Sequence, residues 1–153
     1  MRKLKNIEII FILIAIAAIA VLIWWALQKD SKNQPLWVAG LEDSGNNIIF
    51  SRDGLNWSDV PNLNFSKAVE GIAYGKNLWV AVGDDGGGLG NIMYSDNGKN
   101  WTQTSSGDSF SNAGAGVAYG TSNSASPLWV AVGDDDGGLG SIMYSDSGKN
   151  WTQ

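Results

Sequence analysis

The sequence predicts an all-β repeat region behind a single apolar N-terminal helix, and three observations carry that reading. The stretch Leu78 to Gln103 returns as Leu128 to Gln153, and only three of the twenty-six positions differ: Gly86 against Asp136, Asn91 against Ser141, and Asn97 against Ser147. A looser copy precedes them, in which Trp37 answers Trp79 and the segment Ser51 to Trp57 answers Ser95 to Trp101. Finally, nineteen consecutive apolar residues, Ile9 to Leu27, stand apart from everything after them. The Trp-to-Trp offsets of 42 and 50 for the first landmark, and 44 and 50 for the last, are the period of an array, solenoid or propeller.

The N-terminal element comes first. Residues 1–8 are basic through Arg2, Lys3 and Lys5. At about 1.5 Å per residue, the run 9–27 is roughly 28 Å long as a helix, close to the ~30 Å hydrocarbon core of a bilayer. Trp24 and Trp25 lie at one end, where indoles favour the membrane interface, and Lys29 and Lys32 follow. The excess of cations before the run places the N-terminus in the cytoplasm and the repeats outside. A cleaved signal peptide is the competing reading, but its small-x-small candidate, Ala18-Ile19-Ala20, is followed by seven more apolar residues. Residues 28–35 then read as a polar linker.

From residue 36 the chain is a series of short apolar, β-branched or aromatic runs: 36–39, 47–50, 71–74, 78–82, 91–94, 116–119, 128–132 and 141–144. Gly, Asn, Asp and Ser fill the gaps, and no segment shows a sustained helical period. Each complete unit reads as four strands: an inner GIAYG or AGVAYG, then LWVAVG, then IMYS, then one starting at the Trp of NWTQ. Four antiparallel strands in about 45 residues is the size of one β-propeller blade. The expected architecture is therefore a partial propeller of about three such blades, with units near 36–70, 71–115 and 116–153, the first shortened and the last incomplete. The middle strands of a blade are expected to be packed on both faces by its neighbours, while three open units leave blade faces and a sheet edge exposed.

The turn between the third and fourth strands has its own physical logic. In Ser51-Arg52-Asp53-Gly54-Leu55-Asn56-Trp57, a Ser and an Asp two apart can bond the turn backbone. Gly54 supplies a positive φ, and Trp57 folds back to cover the turn. The same logic applies to Ser95, Asn97, Gly98 and Trp101, and to Ser145, Ser147, Gly148 and Trp151. Core packing is the expected role of the six Trp in the repeats, ahead of stacking on sugars.

This pattern, after a strand ending in an aromatic and an AYG…LWVAVG strand pair, resembles the Asp-box or BNR repeat of sialidase-like β-propellers, in a form one residue shorter than the common one. The resemblance spans residues 36–153. It departs from the family at the acidic position, which is Asp53 in the first unit but Asn97 and Ser147 in the others. The resemblance implies that the box is a structural turn remote from any active site. It also implies that a sialidase would need an arginine triad. Arg occurs only at Arg2 and Arg52, and Arg52 lies inside a turn, so sialidase activity is not expected of a single chain.

Other chemistry is bounded by composition. There is no Cys and no His, which removes thiolate chemistry, the usual general base and the commonest metal ligand. Asp84 and Asp85, with Asp134, Asp135 and Asp136, cluster on Gly-rich turns that could offer oxygen to Ca²⁺. Their spacing fits no EF-hand or nonapeptide pattern, so a solvated acidic hairpin is the preferred reading, with no cofactor expected. The Gly-rich run 86–90 lacks the helix and Lys-Ser/Thr pair of a phosphate loop. Residues 1–32 carry a net +3 and residues 33–153 a net −8, which sum to the −5 of the whole chain. So acidic a repeat region is a poor match to a phosphate backbone, and nucleic acid is not an expected partner.

The function expected from the sequence is a membrane-anchored, outward-facing binding or structural module with a protein or glycan ligand. The alternative is a degenerate glycoside-hydrolase relative using its acidic turns. Three units fall short of the four or more that a closed propeller needs. The chain is therefore expected to be a fragment of a longer protein, an incompletely preserved gene product without independent function, or a part that self-associates to close the ring.

Overall fold

The computed structural model describes residues 17–24, 36–42, 47–61, 65, 67–84, 91–105, 110–121, 126–134 and 140–153. The chain divides into two compact units, Met1–Pro35 and Leu36–Gln153. In the first, residues 17–24 are helical, with the side chains of Ile19, Val21, Leu22, Ile23 and Trp24 exposed. The rest of the apolar run 9–27 lies outside the described residues, as do the basic segment 1–8 and the linker. Among the described residues no helix is long and apolar enough to cross a membrane.

The second unit is all-β and consists of three antiparallel sheets. Sheet 1 holds β1 (Trp37–Gly40), β2 (Ile48–Ser51) and β3 (Ser58–Asp59). Sheet 2 holds β4 (Ala68–Gly75), β5 (Leu78–Asp84), β6 (Ile92–Ser95) and β7 (Thr102–Gln103) in chain order. Sheet 3 holds β8 (Ala113–Gly120), β9 (Leu128–Asp134) and β10 (Gly140–Ser145). A fourth strand begins there too, since Thr152 and Tyr144 exchange both backbone bonds at 2.8 and 3.0 Å. Identical sequence gives identical register: Tyr74 pairs with Trp79 and Tyr119 with Trp129, and in each pair the rings lie tilted at 4.7 and 4.8 Å.

The strands fall where the apolar runs predicted them, but β4 and β8 are longer. Each starts three residues before the expected unit boundary, at Ala68 and Ala113, and passes through an irregularity at Val69/Gly71 or Gly114/Gly116. The extra residue accommodated there breaks the simple alternation that marks a strand in sequence.

Two cores lie between the sheets. Ile48, Val60 and Phe65 meet Val69, Ala81 and Met93 in one, so sheets 1 and 2 pack together. Leu78, Val80, Val82 and Ile92 meet Phe110, Trp129, Ala131, Met143 and Trp151 in the other, so sheets 2 and 3 pack together. Alternation along β5 sends Val80 and Val82 to one core and Ala81 to the other, which buries this strand on both faces. Sheets 2 and 3 approach each other closely at their first strands. There Gly71 faces Gly116 so closely that a Cβ on Gly71 would lie 3.0 Å from the Gly116 Cα.

β9 is buried on one face only, and its residues alternate between buried and exposed. Its inner residues Trp129 and Ala131 join the core, while Leu128, Val130 and Val132 stay exposed because no described sheet covers that side. The core packing expected of the repeat Trp residues fails for the first pair. Trp37 and Trp57 are exposed on the uncovered face of sheet 1, whereas the corresponding Trp129 and Trp151 are buried against sheet 2.

Candidate functional site

The polar residues singled out by the repeat lie in three turns, which follow β2, β6 and β10. Each turn is built from the side chains upward. Ser51 Oγ accepts from the N–H of Gly54 at 2.9 Å and of Asp53 at 3.3 Å, and donates to Asp53 Oδ1 at 2.9 Å. Asp53 Oδ1 in turn accepts from the N–H of Leu55 and Asn56 at 2.9 and 2.8 Å, and Oδ2 accepts from Asn56 Nδ2 at 2.7 Å. The next backbone step is tight, and Gly54 takes it with φ of 74°.

The second turn repeats this with an amide. Asn97 Oδ1 accepts from Lys99 N and Asn100 N at 2.9 and 2.8 Å, while Ser95 Oγ accepts from Gly98 N at 2.8 Å. The third repeats it with a hydroxyl, and the bonds lengthen: Ser147 Oγ accepts from Lys149 N at 3.2 Å and Asn150 N at 3.3 Å. Ser145 Oγ still holds Gly148 N at 2.8 Å. The indoles of Trp101 and Trp151 donate to the carbonyls of Gly98 and Gly148 at 3.2 and 3.3 Å, which folds each ring back over its turn. The position thus needs an acceptor oxygen and not a charge.

Charge matters only where Asp stands. The Asn56 backbone N–H, with the Asn56 amide, the Leu55 N–H and the Ser51 hydroxyl, favours the ionised form of Asp53 and pushes its carboxyl far below the usual range.

Two further contacts tie the second and third turns to the preceding sheet, and neither was anticipated from the sequence. Gly98 lies against Leu36, and a Cβ on Gly148 would lie 2.7 Å from Leu78 Cδ2. The Lys that follows the glycine spans the gap: Lys99 Nζ sits 4.3 Å from the Phe50 ring centroid and Lys149 Nζ 5.0 Å from that of Tyr94. The recurrence of Lys beside the turn glycine, opposite an aromatic one repeat earlier, was the available signal. Lys149 also pairs with Asp96 at 3.6 Å, in an exposed geometry that contributes little.

A buried clamp was likewise missed. Asn91 donates through Nδ2 to the Phe110 carbonyl at 2.7 Å and accepts through Oδ1 from the Phe110 N–H at 2.9 Å. It thereby fixes the segment leading from sheet 2 into sheet 3.

The acidic candidates are placed apart from the turns. Asp84 ends β5, where Oδ2 accepts from Lys67 Nζ at 3.0 Å. Asp134 ends β9, where Oδ2 accepts from Asn112 Nδ2 at 3.1 Å. Asp85, Asp135 and Asp136 lie outside the described residues. Among the described residues no group of three or more His, Cys, Asp or Glu comes together as a metal site.

The turn oxygens are engaged by the turns' own backbone, which is the chemistry of a staple. The same constellation recurs in all three sheets. In comparisons with known proteins, no family model matches the chain and no curated protein matches it.

Proposed function

We propose that this chain is an Asp-box-type β-propeller repeat protein, held at a membrane by residues 9–27 with its repeats on the extracytoplasmic side. It works as a non-catalytic binding or structural module, with a protein or glycan bound at loop surfaces. One observation supports this reading most directly: three consecutive sheets carry the same serine-glycine staple, closed by Asp53, Asn97 or Ser147, and the second and third staples pack against the sheet before them. The nineteen-residue apolar run and the basic residues before it support the anchor and its orientation.

The test uses the full chain expressed in membranes. It is expected to resist alkaline extraction, to expose its repeats to protease only from the extracytoplasmic side, and to bind on a glycan or protein array without turning over its ligand. Release by alkaline carbonate would sink the anchor. Hydrolysis of a glycan that is lost in an Asp84→Ala/Asp134→Ala variant would sink the non-catalytic reading.

A further inference from the structure

We infer that two copies of this chain join head to tail, the outer face of sheet 3 in one copy receiving the uncovered face of sheet 1 in the other. The inference rests on the propeller-type reading above and names the partner that completes it.

The outer face of sheet 3 presents Leu128, Val130, Val132, Ile142 and Tyr144, all exposed. Residue for residue, it is a copy of Leu78, Val80, Val82, Ile92 and Tyr94 on sheet 2. In sheet 2 that same face is closed off by sheet 3: Ile92 is 0% exposed where Ile142 is 63% exposed. An apolar face of this composition therefore already has a known complement in the molecule, namely Trp129, Ala131, Met143 and Trp151.

The chain carries a second surface of that kind. Trp37, Ala39, Ile49 and Trp57 occupy the corresponding places in sheet 1. Val38 and Phe50 point into the core shared with sheet 2, so alternation turns Trp37, Ala39 and Ile49 to the other side. Trp37 and Trp57 are exposed there.

Two details of the open faces fit a second copy as the occupant. Where Asn91 clamps the connector into the next sheet, the third repeat has Ser141, whose hydroxyl accepts from Gln153 Nε2 at 2.8 Å instead. In addition, the place taken by Lys99 and Lys149 over the preceding aromatic ring is held in the first turn by Leu55, which is 84% exposed. In the joined pair Leu55 lies on Tyr144 of the other copy and buries apolar area on apolar area. Such an interface is heterologous and closes when the rotation permits. Two copies bring together six of the described sheets, three from each, which falls within the range of about four to eight found in closed propellers.

The chain has no cysteine, so full-length Leu55→Cys and Tyr144→Cys variants can be cross-linked selectively with a short bis-maleimide. A covalent dimer is expected only when the two variants are mixed, and self-linking of either one overturns the head-to-tail arrangement. By light scattering of the full chain in detergent, the unaltered protein is expected to hold two copies. Ile142→Lys alone and Trp37→Lys alone are expected to hold one, and their mixture two again, because one intact interface is restored. Dimers that survive both substitutions overturn the proposal. Since Ile142 is exposed, its replacement leaves the cores alone, and tryptophan circular dichroism checks this. A single-copy mass for the unaltered chain with β5 amides still protected from exchange sinks the dimer and spares the stacked sheets. Unprotected β5 amides sink both.

Discussion

Asn91 and Phe110 bond each other twice, amide to backbone, at a buried point between sheets 2 and 3. Nineteen residues separate them, so the clamp closes a loop as well as satisfying two buried backbone groups. Replacing Asn91 by Ala leaves the Phe110 N–H and C=O buried without partners. The variant is expected to lose about 3 kcal/mol, read by denaturant unfolding. Ser141→Ala, at the matching place in sheet 3, is expected to lose well under half as much.

The three turn glycines separate two effects. All have φ near +70°, which costs a residue with a Cβ about 1–2 kcal/mol. In Gly54→Ala the new methyl meets nothing nearer than Trp37, at 3.7 Å, so the loss stays at that level. In Gly148→Ala it also collides with Leu78, and crowding adds roughly another 1–3 kcal/mol. Thermal melts of the two variants are expected to fall in that order.

Acid is expected to act on one turn of the three. The folded-state pKa of Asp53 is depressed, so its contribution is fully present above the unfolded value of about 3.9 and is lost as pH falls from there toward the lower folded value. Stability measured from pH 5 downward is expected to drop in the native chain. An Asp53→Asn variant, which copies Asn97, is expected to lack that component while retaining the turn bonds. An unchanged acid profile in the variant would contradict this account.

Trp37 and Trp129 share a sequence position and differ in setting. Trp129→Ala opens a cavity in the core between sheets 2 and 3 and is expected to cost about 3–5 kcal/mol. Trp37→Ala is expected to cost far less in dilute solution, where its face is open. Unfolding at several protein concentrations distinguishes the two, because the Trp37 effect is expected to grow with concentration and the Trp129 effect is not.

Much of this was legible in the sequence because its signals are local. The strand runs, the turn glycines at positive φ and the Ser-x-Asx spacing all act within a few residues, and they fall where the pattern placed them. The likeness of the copies hid the difference in their surroundings, so Trp37 and Trp129 looked alike. It could not show the partner of Asn91 either, although the change to Ser141 was among the three differences between copies. The early start of β4 at Ala68 was hidden because Glu70 and the irregularity beside it interrupt the alternation.

The seven residues of β5 and β9 are the same, LWVAVGD, and so are the IMYS segments they pair with. A nascent chain therefore has two interchangeable partners for each of these strands, and nothing in their side chains tells the right one from the wrong one. Proximity decides: the hairpin that closes the shorter loop forms first, and synthesis from the N-terminus finishes sheet 2 before the competing copy emerges. Refolding from denaturant, where both copies are present at once, is therefore expected to yield strand-exchanged traps that biosynthesis avoids.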